Sequence, residues 1–329
     1  MKNRLIKRKF AVTAIFLAVC LNYIYSLDCS DGYTYFDELP ETATVQDGNF
    51  CLYNVDLAAL DDIISENGLN YDSAINIGSQ TWNNGRLTVF AASYNPNGSG
   101  GVNEQLEILP DSFGNLTELI ILYLEWNSLT SLPNSFSQLT NLISLTINNN
   151  WLTNLPDDFG NINNLFFLDL GYNQLTSIPE SVCDINFSNT SYLYLFNNNL
   201  TSLPDCMCEL DINWSGFDGE FPFFGIGGNQ LCSNIPECIA ESAYFESSLD
   251  QFYYSAIIEA PQDIPNLGDL NGDGGHNVLD IVTLANCVLA QNCVDIEYGS
   301  VGDLNGDGGY NVLDIVTLAN CILAVNCGG

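Results

Sequence analysis

Oxygen-bearing side chains recur at a fixed spacing in two stretches near the end of this 329-residue chain. The phrase DLNGDGG begins at Asp269 and again at Asp303, and the similarity extends without a gap over Gly268–Cys293 and Gly302–Cys327. The two stretches match at 23 of 26 positions, which makes them an internal duplication. Numbered from the first aspartate, each copy places side-chain oxygens at positions 1, 3, 5, 9 and 12 and glycine at position 6.

This spacing is that of an EF-hand calcium loop, whose glycine permits the sharp turn that brings the early ligands together. Three carboxylates in one loop repel each other without a cation, and hard, oxygen-seeking Ca²⁺ suits them better than zinc. One copy alone could be an ordinary Asn-Asp-Gly turn, but two copies in register favour calcium. The predicted ligands of two Ca²⁺ ions are Asp269, Asn271, Asp273, the Gly275 carbonyl, Asn277 and Asp280, and then Asp303, Asn305, Asp307, the Gly309 carbonyl, Asn311 and Asp314.

Each loop leads into an apolar helix but follows a turn-like segment, so each unit is a loop with one exiting helix. Such a tandem over residues 266–329 resembles a type I dockerin, the module that binds cohesin domains of cellulosome-like scaffolds. The resemblance implies a cohesin-like partner that contacts loop positions 10 and 11. Family members often carry polar residues there and basic residues on the helix, whereas this chain has neither. The residues expected to contact the partner are Val278, Leu279, Val312 and Leu313.

The one histidine of the chain, His276, invites a catalytic or metal-binding interpretation. Its counterpart in the second copy is Tyr310, which could do neither job equivalently. A shared aromatic packing role explains both residues better.

The segment before this module follows a second repeat. The form LxLxxNxLxx(L/I)P begins at Leu122, Leu145, Leu168 and Leu193, and a degenerate copy begins at Phe224. Alternating leucines predict half-buried strands, and the asparagine can satisfy backbone groups of the neighbouring coil. The pattern resembles the leucine-rich repeat family. It implies an α/β solenoid of about six repeats with a parallel β-sheet on its concave face and a cap at each end, followed by the small α-helical calcium module.

The chain therefore divides into five predicted segments. Residues 1–26 combine a basic start, the apolar run Phe10–Ile24 and the small residue Ser26, which is typical of a signal peptide. An uncleaved N-terminal anchor and lipoprotein processing at Cys20 are the alternatives. The other segments are an N-terminal cap at 27–85, repeats with a cysteine-containing C-terminal cap at 86–240, an edge and linker at 241–265, and the dockerin-like module at 266–329.

Composition restricts the partners and the compartment. All 40 acidic residues but only one of the six basic residues, Arg86, lie beyond position 26, which leaves a formal net charge of −39. Such a surface repels phosphate backbones and anionic headgroups, so we expect neither nucleic acid nor an anionic membrane as partner. Solubility at high ionic strength is an equally good explanation of the charge. The eleven cysteines beyond position 26 predict disulfides in a secreted protein, with at least one thiol left over within the chain.

The outward positions of the predicted strands carry aromatic and acidic residues. These could bind a protein or glycan ligand, or could pack against each other. The chain shows no nucleophile elbow, phosphate loop or metalloprotease motif, and an open sheet is a poor place for the paired carboxylates of a glycosidase. The predicted ligand-binding residues are Tyr123, Glu125, Trp126, Phe167, Asp169, Tyr172, Tyr192, Tyr194 and Phe196.

We therefore expect a secreted, non-catalytic binding protein. Its calcium-dependent module would dock to a cohesin-like scaffold or to the cell surface, with a polysaccharide-degrading assembly as one setting. The alternative is a free secreted interaction protein in which calcium only stabilises the C-terminus. A hydrolase component of such an assembly is the least favoured alternative.

Overall fold

The computed structural model describes residues 29–96, 100–231, 235–252, 254–262, 268–273, 275–296, 298–304 and 308–324. The predicted signal peptide, Cys232, Cys327 and the predicted ligands Asn305 and Asp307 lie outside the described residues. The described residues form two compact units: the first lies within 1–150 and 158–165, and the second within 151–157 and 166–329.

The first unit begins with a small antiparallel pair and a helix. Strand β1 (Tyr33–Tyr35) pairs with β3 (Cys51–Tyr53), and the disulfide Cys29–Cys51 joins this pair to the chain before it. Helix α1 (Asn54–Glu66) follows and buries Leu57, Leu60 and Ile63. Gly68, at φ 62°, adopts the left-handed conformation just beyond the helix end.

The sheet of the first unit has the strand order β2-β4-β5-β6-β7. Its strands are β2 (Ala43–Val45), β4 (Ser79–Asn83), β5 (Arg86–Ala91), β6 (Ile121–Tyr123) and β7 (Ser144–Thr146). Only β4 and β5 run antiparallel; β5, β6 and β7 are parallel, with Phe90, Leu122 and Leu145 in register. Each of these three side chains is fully buried, because alternate residues of a strand point to opposite faces.

Short 3-10 turns connect the strands of neighbouring repeats and lie across the core from the sheet. They span Asp111–Asn115, Asn134–Gln138 and Phe159–Asn161. Each turn buries one phenylalanine, and the rings of Phe113, Phe136 and Phe159 stack with centroids 5.8 and 6.4 Å apart. The phenylalanines therefore fill the core between the 3-10 turns and the sheet.

The repeat asparagines form the predicted ladder. Asn150 accepts a hydrogen bond from the Leu129 amide at 3.1 Å and donates to the carbonyl oxygens of Leu124 at 2.9 Å and Ile147 at 3.1 Å. Each asparagine side-chain amide thus joins one repeat to the next. It pairs with backbone groups that a buried turn would otherwise leave without a hydrogen bond. The same role belongs to Asn127 in the first unit and to Asn173, Asn198 and Asn229 in the second.

The second unit contains three further parallel strands and a hairpin. The strand order is β8 (Phe167–Asp169), β9 (Tyr192–Tyr194) and β10 (Phe224–Gly225). Strands β11 (Ser247–Leu249) and β12 (Ile257–Glu259) form the hairpin within the aperiodic segment 241–265, and helix α2 (Glu237–Ala240) precedes it. Disulfides Cys183–Cys206 and Cys208–Cys238 join the 3-10 turns of this unit, at Glu180–Asp184 and Asp205–Glu209, to each other and to α2.

The duplicated segment of the second unit folds as two helices. Helix α3 (Val278–Ala290) packs on α4 (Val312–Ala324), with short 3-10 turns at Cys293–Asp295 and Gly299–Gly302 between them. The disulfide Cys287–Cys293 fastens the end of α3, and Cys321 is disulfide-bonded as well. Within the described residues, no helix is long and apolar enough to cross a membrane. The buried core of this segment is Leu270, Leu284, Cys287, Cys293, Val301 and Leu318.

Candidate calcium loops and ligand face

Backbone amides orient the two buried carboxylates of the first loop. Asp280 is fully buried, and its two oxygens accept hydrogen bonds from the amides of Asn271 at 3.1 Å and Asn277 at 2.8 Å. Asp269, only 3% exposed, accepts from the amides of Gly272 at 2.9 Å and Asp273 at 3.2 Å. Both ends of the loop are therefore fixed around a region of negative charge.

The middle of the loop adds a third carboxylate and an amide. Asp273 accepts a hydrogen bond from Nδ2 of Asn277 at 3.1 Å, and Oδ1 of Asn271 accepts one from the Asp273 amide at 2.8 Å. Nδ2 of Asn271 is buried without a hydrogen-bond partner. Three carboxylates in one loop, two of them buried and no basic residue within the segment, fit a divalent cation.

Side-chain carboxylates alone do not form a complete metal site among the described residues. Among the described residues, no three His, Cys, Asp or Glu side chains converge closely enough to hold a metal alone. Amide and carbonyl oxygens would therefore complete the coordination, as calcium prefers.

The described part of the second loop repeats the first at position 12 but not at position 1. Asp314 is fully buried and accepts a hydrogen bond from the Asn311 amide at 2.9 Å, as Asp280 does from Asn277. Asp303 is half-buried and accepts from the Gly308 amide at 2.9 Å. In both loops, therefore, the backbone amide at position 9 donates a hydrogen bond to the aspartate at position 12.

The two copies also pack reciprocally. A methyl group at Gly268 would lie 2.7 Å from Cδ1 of Leu318 in the second copy, and one at Gly302 would lie 2.9 Å from Cδ1 of Leu284 in the first. His276 approaches Gly268 as Tyr310 approaches Gly302, at 3.3 and 3.4 Å from the same methyl positions. The histidine therefore shares the packing position of the tyrosine, as the duplication suggested.

Tyr298 is a residue of this site that sequence reasoning missed. A methyl group at Gly272 would meet its ring at 2.5 Å, so the ring lies directly against loop position 4. Only glycine leaves room for this contact. The one sequence signal was an aromatic residue within the turn that joins the two copies.

The first turns of α3 and α4 present matching apolar pairs to solvent. We call Val278–Leu279 and Val312–Leu313 the first-turn pairs. Their side chains are 64%, 58%, 63% and 59% exposed in that order, although they belong to largely apolar helices. Their role as a docking face remains a prediction.

The predicted aromatic face is divided. We expected Tyr194, Phe196 and Asp169 to face solvent, and this was wrong, because they are only 1%, 1% and 2% exposed. Hairpin β11–β12 contributes Leu249 to a buried cluster with the two rings, and the ring of Tyr254 lies 5.9 Å from that of Phe196. This part of the face is therefore hydrophobic core.

Tyrosine hydroxyls of this part of the face donate hydrogen bonds to backbone carbonyls. The hydroxyl of Tyr172 donates to the Leu249 carbonyl at 2.6 Å, and that of Tyr194 donates to the Pro222 carbonyl at 2.7 Å. Burial raises the pKa of the Tyr194 phenol far above its usual value, which keeps it a neutral donor. Phe167 and Tyr192 lie half-buried at the margin, and burial together with Asp218 raises the pKa of Tyr192 to about 12.

The remaining predicted face residues lie in the first unit. Tyr123, Glu125 and Trp126 are partly exposed. The Glu125 carboxyl accepts hydrogen bonds from the hydroxyls of Ser93 and Thr146, the latter at 2.8 Å. Burial raises the pKa of Glu125 above its usual range, although both hydrogen bonds act in the opposite direction. Sequence reasoning missed Ser93 and Thr146, whose only signal was their outward register.

Family models match two segments of the chain. The model of the dockerin type I domain matches residues 267–323, which include both loops and both helices. The chain carries a type I dockerin domain. Such domains bind calcium and are typically extracellular. The leucine-rich repeat model matches residues 164–185, around β8. A comparison with curated proteins finds no match.

Solved structures resemble parts of the chain. A leucine-rich repeat protein of Leptospira interrogans is 30% identical over 42% of this chain and 33% of its own, with a TM-score of 0.35. A plant ice-binding protein is 23% identical over 58% and 61%, with a TM-score of 0.43. The ectodomain of the receptor kinase GASSHO1/SCHENGEN3 from Arabidopsis thaliana, in complex with CASPARIAN STRIP INTEGRITY FACTOR 2, is 24% identical over 50% and 20%, with a TM-score of 0.32.

These matches are partial, since the chain spans between a fifth and about three fifths of the length of these proteins. Parallel strands, the asparagine ladder and the matched repeat together give an LRR-like fold followed by the dockerin domain. Domains of these two classes are typically non-catalytic and mediate protein binding.

Proposed function

We propose that this chain is a secreted, non-catalytic adaptor. Its repeats stack as a solenoid whose concave face binds a protein or glycan ligand. Its dockerin domain binds two Ca²⁺ ions and docks to a cohesin-like domain on a scaffold or cell surface, as in polysaccharide-degrading assemblies. The observation that carries the proposal is the dockerin match over both loops, together with the exposed first-turn pairs.

Calcium supports docking through the positions of the helices. Asp280 and Asp314 are predicted ligands and also accept amide hydrogen bonds at the starts of α3 and α4. An ion bound by these carboxylates would hold each helix start against its loop. The first-turn pairs lie at these starts, so the proposed docking face depends on calcium.

The exposure of the first-turn pairs supports contact with a partner. Each first-turn pair consists of two branched apolar side chains that are more than half exposed, and exposed apolar surface of this kind is typical of protein interfaces. Their equal exposure in the two copies offers a cohesin-like partner two similar faces. We therefore propose that docking occurs in either of two orientations related by roughly 180°.

Capture of purified type I cohesin domains tests docking. The full secreted chain would be immobilised and exposed to a panel of cohesins, first in Ca²⁺ and then in excess chelator. Capture in calcium that disappears in chelator supports the proposal. The control is Val294→Asp, because Val294 is 76% exposed but lies outside both first turns. Capture should survive this change and fail when both first-turn pairs carry charge.

The alternative function assigns calcium a structural role only. It requires that no cohesin is captured while chelation still destabilises the helices. A hydrolase function requires sugar release from polysaccharides by the chain alone. No release is expected, because a glycosidase needs two accessible carboxyl groups. The Glu125 carboxyl accepts hydrogen bonds from two hydroxyl groups. Asp169 is buried and accepts a hydrogen bond from the Gly171 amide at 2.9 Å.

A further inference from the structure

A carboxyl group lies at the centre of the partly exposed strip formed by β5, β6 and β7. Glu125 follows β6, and it accepts hydroxyl hydrogen bonds from Ser93, which follows β5, and from Thr146 of β7. A carboxylate has about four acceptor positions, so this arrangement leaves room for an incoming donor. The two hydroxyls fix the group in the middle of the strip.

The charge of this carboxylate is not balanced by the chain itself. Burial raises the pKa of Glu125, so its ionised form is poorly solvated, and hydroxyl groups cannot cancel its charge. Beyond position 26 the only basic residue is Arg86. Its guanidinium pairs with the fully buried Asp56 at 2.9 Å. Because Arg86 is held by Asp56, a cationic partner is the available source of a charge that would balance the ionised form of Glu125.

Two aromatic residues adjoin the carboxylate in sequence. Tyr123 precedes Glu125 by two residues and so lies on the same side of the strand, while Trp126 follows it directly. Trp126 has a φ of 62°, a conformation that asparagine tolerates best, and Asn149 and Asn197 hold this position in two other repeats. The Trp126 backbone is fixed by hydrogen bonds to Asn148 and Gln105, at 3.2 and 2.8 Å.

We infer that this strip binds a basic segment of a protein partner, whose guanidinium or ammonium group pairs with Glu125 beside the rings of Tyr123 and Trp126. This inference rests on the proposed binding role of the concave face and names its ligand class. Aromatic faces attract cations, and the net charge of −39 speeds the approach of a basic partner. A neutral sugar could stack on the rings, but it would desolvate the carboxylate further without compensating its charge.

The test uses the full secreted chain in calcium and a matched pair of peptides. The probe is Gly-Ser-Arg-Ser-Arg-Ser-Gly, and its control replaces both arginines with citrulline, which keeps the shape but carries no charge. Calorimetry at about 0.15 M salt screens the general negative surface beyond ~8 Å. The site variant Glu125→Gln is matched by Glu107→Gln, which removes one exposed charge elsewhere. Melting temperatures check that both variants fold.

The inference predicts that citrulline or Glu125→Gln weakens binding about tenfold or more, as expected for a lost charge-assisted hydrogen bond. Glu107→Gln should change affinity by less than about twofold. If both variants weaken peptide binding equally, the proposed site is overturned, because only the overall negative charge of the chain would then attract the peptide. Retention of a neutral oligosaccharide, lost on Trp126→Ala but not on Glu125→Gln, would overturn the ligand class while keeping the proposed function. Binding of neither peptide nor oligosaccharide would overturn the inference, whereas the docking part of the proposed function is decided by cohesin capture.

Discussion

Removal of calcium should strongly destabilise the dockerin domain while leaving the repeats intact. Among the described residues, the buried core of this domain consists of six residues, including both members of the Cys287–Cys293 disulfide. A core in a domain of about 60 residues supplies no more than ~3–5 kcal/mol. Each Ca²⁺ ion present at about 100 times its dissociation constant would add ~2.7 kcal/mol, so the two proposed ions would add about 5 kcal/mol. Calcium would therefore contribute as much as the core.

The disulfide should limit this loss. Cys287 and Cys293 are six residues apart, and closing a loop of that length removes unfolded-state entropy equivalent to about 2 kcal/mol. Chelation alone should therefore weaken the domain strongly, and chelation combined with Cys287→Ala and Cys293→Ala should unfold it. At ~1.4 kcal/mol per factor of ten, 5 kcal/mol corresponds to roughly a thousandfold loss of protection or more.

Hydrogen exchange measured by mass spectrometry resolves this loss in the full chain. Peptides from α3 and α4 should lose protection in chelator, while peptides containing β6 should not change. Asp280→Asn keeps the size of the side chain but removes the charge of the predicted ligand, and it should reproduce part of the loss. Unchanged exchange in α3 and α4, or a calorimetric stoichiometry near zero for Ca²⁺, would refute the reasoning.

Three further results are expected. Charged residues at one first-turn pair should leave cohesin affinity nearly intact, and only the change of both pairs should abolish binding; loss from either single pair would show that the faces differ. Glu125→Gln should stabilise the chain more at pH 8 than at pH 5 in urea unfolding, because a raised folded-state pKa contributes stability at low pH that is lost as pH rises. Tyr254→Ala should lower the free energy of unfolding by about 1–3 kcal/mol without weakening the binding of the arginine peptide. Weaker binding would show that the hairpin affects the strip formed by β5, β6 and β7.

Much of this molecule could be predicted because its sequence repeats. The alternation of leucines fixes which side of each strand is buried, and the asparagine after it has one local task, as Asn150 shows. The calcium loop is equally local, since twelve consecutive residues contain its ligands and its turn. Duplication strengthens the pattern in both cases, because the same spacing occurs again in register.

The cover over the aromatic face could not be predicted in this way. Tyr194 and Phe196 occupy outward positions of a repeat, where a half-exposed strand normally faces water. Their burial depends on Leu249 and Tyr254, about 50 residues later in a segment without periodicity. Local pattern contains no information about which distant segment packs on a face, so exposure was the part of the prediction that failed.

The chemistry of the outward residues distinguishes core from binding surface. In the covered region, neutral tyrosine hydroxyls donate to backbone carbonyls, as Tyr172 does to Leu249 and Tyr194 to Pro222, so burial leaves no charge uncompensated. Around Glu125, neutral hydroxyls instead hold a carboxyl whose ionisation burial disfavours. A side chain that only served folding would be better as glutamine, which makes similar hydrogen bonds without the charge. The carboxylate therefore costs stability in the free chain, and a cationic partner would offset that cost on binding.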